Sequence, residues 1–215
     1  VTARENILAR IRARQGKGEV PAEAEREAVR GHIAAHPQSP RPRMEWELLA
    51  RFRECALGLA STVEEVDGLE AAPAAVARYL KAASLPLAAV CWPEFAGLDW
   101  RGAGMSVEAR AAREADLVGV TGAYCAIAET GTLLTVSGRD TPATASLLPE
   151  THVAIVSRSR IVRGMEEAWQ LVREELKPPP RALNFISGPS RTADIEQTVT
   201  LGAHGPYRVH IVLVP

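Results

Sequence analysis

The run His152-Val-Ala-Ile-Val156 is followed by Gly164-Met-Glu-Glu-Ala-Trp-Gln-Leu-Val-Arg-Glu-Glu-Leu176, and that by Ala182-Leu-Asn-Phe-Ile186. The outer two are short and apolar, rich in β-branched or aromatic residues, and bounded by polar turns. The middle run places Met165, Trp169, Val172 and Leu176 at helical spacing. Strand, helix, strand is the alternation that calls for a mostly parallel sheet covered by helices. The same alternation extends outward in both directions. Toward the N-terminus it gives strands at Thr62–Val66, Leu87–Cys91, Leu117–Val120 and Thr132–Val136, with a helix over Pro73–Lys81 turning Val76, Tyr79 and Leu80 inward. Toward the C-terminus it gives a short helix from Thr192 and a closing strand, Arg208–Val214. The predicted fold is α/β: an open, mostly parallel sheet of five to seven strands with helices on both faces.

The first third reads differently. Thr2-Ala-Arg-Glu5 is a capping box, and Ile7, Leu8 and Ile11 follow on one face of a short helix that also carries Arg4, Arg10, Arg12 and Arg14. Pro21 opens a second helical stretch to about His36. The stiff connector Pro37-Gln-Ser-Pro-Arg-Pro42 sets an expected boundary between an N-terminal arm, residues 1–43, and a core, residues 44–215. From Met44 a third helix places Leu48, Phe52, Cys55, Ala56 and Leu59 at helical spacing, which puts Cys55 on the apolar face as a buried thiol.

Composition narrows the function. The 215 residues hold 25 Lys+Arg against 26 Asp+Glu, a net charge of −1, and 47% apolar side chains. Such a chain folds around a core and lacks the positive field of a nucleic-acid binder. No apolar run approaches the roughly 20 residues that a bilayer requires. Cys55, Cys91 and Cys125 are widely spaced with no C-x-x-C, which predicts a reducing, cytoplasmic compartment and neither a zinc site nor an iron–sulfur cluster in this chain. The N-terminal residues lack the pattern of a secretory signal.

Three glycine-punctuated segments stand out. In the first, Thr121 and Gly122 lead to Glu129-Thr130-Gly131-Thr132, polar residues interrupting an apolar stretch. Glycines beside strands allow close backbone approach and can present a polar side chain to a ligand; a tight turn with a surface glutamate is the plainer alternative. In the second, Ser187-Gly188-Pro-Ser190-Arg191-Thr192 stands between a strand and the expected helix opening at Ala193-Asp194. A helix N-terminus there would aim N–H groups at a carboxylate or phosphate, with Arg191 adding a charge-assisted bond; the alternative is that Thr192 only caps the helix. The third is Gly202-Ala-His204-Gly-Pro206, a loop histidine before the last strand.

These segments resemble the lactate utilization protein C family, built around the LUD domain. The residues that carry the resemblance are Gly119–Ala123, Ala126–Leu133, Leu147–Val153, Asn184–Gln197 and Gly202–Pro206, within a match over about residues 44–215. Tyr124 and Cys125 stand where the family more usually has small or acidic residues. The resemblance implies a fold like that of sugar-phosphate isomerases and CoA transferases. It also implies a role in L-lactate utilization beside partner proteins whose iron–sulfur clusters serve in oxidising L-lactate to pyruvate. Oxidising lactate needs a redox cofactor, for which this sequence shows no cysteine cluster or dinucleotide fingerprint. The expectation is therefore an accessory component that binds a small anion or a partner protein through Thr121, Gly122, Thr130, Gly131, Thr132, Ser187, Gly188, Ser190, Arg191 and Thr192, with no metal and no cofactor of its own. Two alternatives remain open. One is an acyl- or CoA-transferring or sugar-phosphate-isomerising enzyme with Glu129 as nucleophile or base, assisted by His204 or Asp194. The other is a ligand-sensing module with mobile N-terminal helices.

Overall fold

The structure, a computed structural model, describes residues 2–194 and 196–215 and divides into two compact units, Val1–Arg43 and Met44–Pro215. In the first unit, helix α1 spans Ala3–Gln15 and α2 spans Glu23–Ala35. Thr2 and Glu5 close the capping box at the start of α1, and Gly16, at φ 64°, ends it in the left-handed conformation. Neither helix buries a residue; Ile7 remains 58% exposed and Ile33 61%. His36 lies just past the end of α2 at φ 43°.

The second unit opens with helix α3, Leu48–Gly58. Glu47 caps it, its carboxylate accepting from the N–H groups of Leu49 and Ala50 at 2.9 and 2.6 Å. Strand β1 is Thr62–Glu65, helix α4 Ala72–Ala82, β2 Ala88–Cys91, β3 Ser106–Ala109 and β4 Val118–Gly122. There follow β5 Cys125–Ile127, β6 Thr132–Val136, the short α5 Thr144–Leu147, β7 Thr151–Ser157, β8 Ile161–Val162 and α6 Met165–Glu175. The chain closes with β9 Leu183–Ile186, β10 Arg191–Thr192, β11 Thr200–Leu201 and β12 Arg208–Val214.

The main sheet has the order β1-β12-β7-β4-β2-β3, with every neighbouring pair parallel. Its central strands alternate between two cores, as strand geometry requires. Val153, Ile155, Val212 and Val214 meet α4, through Val76 and Leu80, in one core. Ala154, Val156, Ile211 and Leu213 meet Phe52 and Ala56 of α3 in the other. Helices thus cover both faces, as the alternation predicted.

The second face is shared with a four-stranded sheet, order β8-β5-β6-β9, that the sequence reading did not separate from the first. Residues 128–131 between β5 and β6 are far too few for a parallel crossover, so the pair closes as a hairpin and β9 adds antiparallel to β6. Ala126, Ala128, Leu133 and Ile161 of this sheet pack into the α3 core. Its other face buries Cys125, Ile127 and Leu134 against Ala168 and Val172 of α6. Among the described residues, no helix is long and apolar enough to cross a membrane.

Candidate functional site

The β5–β6 connection is Glu129-Thr130-Gly131-Thr132, and the antiparallel register of β6 with β9 brings Ser187, just past β9, beside it. The Thr132 hydroxyl lies 2.7 Å from that of Thr130 and 2.7 Å from that of Ser187. Thr132 is buried, while Thr130 and Ser187 reach solvent. When the hydroxyls donate in series along the chain, two of their three protons are used and the third, at an exposed end, donates outward. An acceptor such as a carboxylate oxygen fits that end.

Two glycines press this region onto α3. Gly131 has φ 67°, and a Cβ there would sit 2.4 Å from the Ala56 nitrogen; Gly188 has φ 76°, and a Cβ there would sit 2.4 Å from the Leu59 carbonyl oxygen. Only glycine allows both the left-handed backbone and the approach. The Glu129 N–H donates to the Arg163 carbonyl at 3.0 Å, and the Cys55 thiol lies 3.5 Å from the Glu129 carbonyl it donates to. Cys55 is therefore half-buried against the site rather than sealed in the core, and partial burial pushes its pKa up. The Arg191 guanidinium donates to the Leu59 carbonyl at 3.0 Å, closing the C-terminal end of α3, where a cation is favoured.

The helix expected from Thr192 is not formed among the described residues. Thr192 pairs instead with Thr200, and Arg191 with Leu201, in a two-stranded ribbon. Glu196 and Gln197, at φ 50° and 56°, take the left-handed conformation that reverses the chain. Ile195, within the expected helix, lies outside the described residues. The helix dipole invoked for anion binding is thus absent among the described residues of this turn; Asp194 is exposed beyond β10, its N–H bonded to the Thr192 hydroxyl at 3.2 Å.

The second segment touches the third through its other end. The Ser190 N–H donates to Pro206 and its carbonyl accepts from the Gly202 N–H, both at 2.9 Å. His204, however, lines a cavity of ≈ 440 Å³ whose walls include neither Glu129 nor Asp194. Thr121 is fully buried, its hydroxyl bonded to the Gly122 carbonyl at 2.9 Å and to His152 Nε2 at 2.8 Å. It supports the sheet rather than a ligand.

Sequence reasoning passed over Glu94. It follows β2, at the point where the strand order reverses between β2 and β4, the usual place for a crevice in an open parallel sheet. A Cβ at Gly122 would lie 2.6 Å from its carboxylate oxygen, and partial loss of water pushes its pKa up. The signal was available only as a glycine at the end of β4 whose partner lay elsewhere in the chain. Among the described residues, no group of three or more His, Cys, Asp or Glu could hold a metal ion. Cys91 and Cys125 are buried in separate cores, and burial pushes each thiol to about 11.

Known proteins resemble this chain in sequence and in fold. A crystal structure of a DUF162 family protein from Deinococcus radiodurans superposes with a TM-score of 0.59 and 25% identity, covering 82% of this chain and all of that one. Lactate utilization protein C of Anoxybacillus flavithermus is 39% identical over 97 residues, 45% of this chain and 43% of the relative. The Bacillus subtilis protein of the same name is 39% identical over 100 residues, 45% and 42% of the two chains, and that of Exiguobacterium 43% over 101, 45% and 44%. These matches span less than half the length of each relative. The LUD domain profile matches residues 95–214, more than half of the chain and all of the hydroxyl cluster. The chain belongs to the LUD domain family.

Proposed function

We propose that this chain serves L-lactate utilization as an accessory component, beside iron–sulfur proteins that oxidise L-lactate to pyruvate, and holds a small carboxylate at the Thr130–Thr132–Ser187 hydroxyls. The observation that carries the reading is that hydroxyl chain, set within the stretch that matches the LUD domain, in a chain similar to proteins named for lactate utilization. Lactate and pyruvate each offer a carboxylate to the outward proton. Removing two electrons from lactate needs a redox cofactor, and under this reading the partners supply it. Three free thiols also suit a reducing cytoplasm.

The test is growth on L-lactate of a bacterium lacking its own lactate utilization protein C, complemented with this chain. The parent is expected to restore growth and Thr130→Ala/Ser187→Ala to restore little, with calorimetry showing weaker uptake of L-lactate or pyruvate by the double variant. Growth and binding equal to the parent's would remove the hydroxyls from the function.

A second reading, a stand-alone acyl- or CoA-transferring or isomerising enzyme, draws on the main chain of Glu129, pinned by Arg163 on one side and Cys55 on the other. A carboxylate nucleophile needs such orientation. Glu129→Gln abolishes activity under this reading and leaves carboxylate binding in place under the first.

A further inference from the structure

The ≈ 440 Å³ cavity beside His204 belongs to neither reading above. It lies at the N-terminal edge of the main sheet, where residues 147–150 lead into β7 and residues 201–208 lead into β12. Its size falls in the range of small-molecule sites, about 300–1,000 Å³. Leu148, Leu201 and Tyr207 supply apolar wall while 49%, 40% and 47% exposed.

Two opposite charges share this lining. Arg208 stacks over the Tyr207 ring, 4.9 Å from its centroid, and its Nη1 stands 3.9 Å from a carboxylate oxygen of Glu150. That separation is too long for a hydrogen bond, and the Arg208 side chain keeps 34% of its surface exposed. Glu150 keeps 66% of its side chain exposed. A carboxylate alone would compete with Glu150 for the guanidinium, and an ammonium alone would compete with Arg208 for the carboxylate. A ligand carrying both groups a few ångströms apart satisfies each without breaking the other. The apolar wall calls for a hydrocarbon body attached to the same centre.

We infer that this cavity binds a zwitterion with an apolar side chain, that is, an apolar α-amino acid, with its carboxylate on Arg208, its ammonium on Glu150 and its side chain against Leu148, Leu201 and Tyr207. The inference stands apart from the lactate reading and rests on the cavity alone.

The test is calorimetry, together with the NMR signals of the His204 ring, using L-leucine and L-phenylalanine. Two truncated analogues, 4-methylpentanoate and 2-phenylethylamine, lack the ammonium and the carboxylate respectively. At least one amino acid is expected to bind at or below about 10 mM and to shift the His204 signals, with the analogues about tenfold weaker. Arg208→Gln and Glu150→Gln should each weaken it about tenfold; the exposed Glu150 variant keeps the test valid if Arg208→Gln unfolds. No binding by either amino acid, analogues binding as well as the zwitterions, or unchanged affinity in Glu150→Gln would each overturn the proposal. Growth on L-lactate is scored separately, so loss of one reading leaves the other standing.

Discussion

The Thr132 hydroxyl meets that of Ser187 at 2.7 Å across 55 positions of sequence, and through it the β5–β6 turn is tied to the end of β9. The same turn is held on α3 by Gly131. One buried threonine and the glycine before it therefore join the three pieces of chain from which the site is made.

Replacing Thr132 by valine keeps its shape and removes both hydroxyl bonds. The protein should lose about 1–2 kcal/mol, because the partners' hydroxyls lose a buried contact while two of the three still reach water. Urea denaturation gives the number. Thr130→Ala, at the exposed end, should cost less than about 0.5 kcal/mol; equal losses for the two would mean that burial of Thr132 contributes nothing.

Gly131→Ala adds a methyl group against the backbone of α3 and forces a left-handed residue to carry a side chain. Destabilisation of about 2 kcal/mol or more is expected, and the same holds for Gly188→Ala. Gly58, in the last turn of α3, has open space where its Cβ would be. Gly58→Ala should therefore stabilise by about 0.5 kcal/mol. The opposite signs, read from melting curves, separate backbone approach from general intolerance to change.

Stability should fall in mild acid. Burial lowers His152 and His210 from the usual 6.5 to about 4, with the nearby Glu64 opposing this slightly for His210. The unfolded chain therefore binds more protons than the folded one between about pH 4 and 6.5. The contribution is complete above the upper value and is lost as pH falls through the window. At pH 5 each histidine costs about 2 kcal/mol relative to neutral pH. His210 also stacks on Tyr79 with centroids 3.9 Å apart, so His210→Phe keeps a ring there and should flatten about half of the slope. A parallel pair of profiles for parent and variant would contradict this.

Arg191→Ala should remove the bond to the Leu59 carbonyl and little else. An exposed cap of this kind is worth up to about 1 kcal/mol, and Arg191→Lys should recover part of it. A larger loss in carboxylate binding than in stability would return Arg191 to the ligand site.

Much of the main sheet was legible because its strands are apolar runs that β-branched residues fill, as in Thr151–Ser157 and Arg208–Val214. Helices α4 and α6 were legible from apolar spacing. What escaped was short or set by distant contacts. β8 and β10 have two residues each, too few for any period to show, and β3 is only four residues, mostly exposed. The ribbon at Arg191–Leu201 replaced an expected helix because Ser190 is held from the far side by Gly202 and Pro206, a constraint no local spacing reveals. The hydroxyl residues of the site were legible as types, but that Thr132 and Ser187 touch while Thr121 is sealed away depended on pairing between sheets.

Strand β1 has a single neighbour in its sheet, β12, and the Thr62 hydroxyl bonds His210 across 148 positions. During synthesis, then, β1 emerges long before β12, its neighbour in the sheet. It must wait on the ribosome with its hydrogen-bonding groups in water until nearly the whole sheet has been made. Such distant closure slows folding, because the entropy of closing the intervening chain is lost before the strand pair forms.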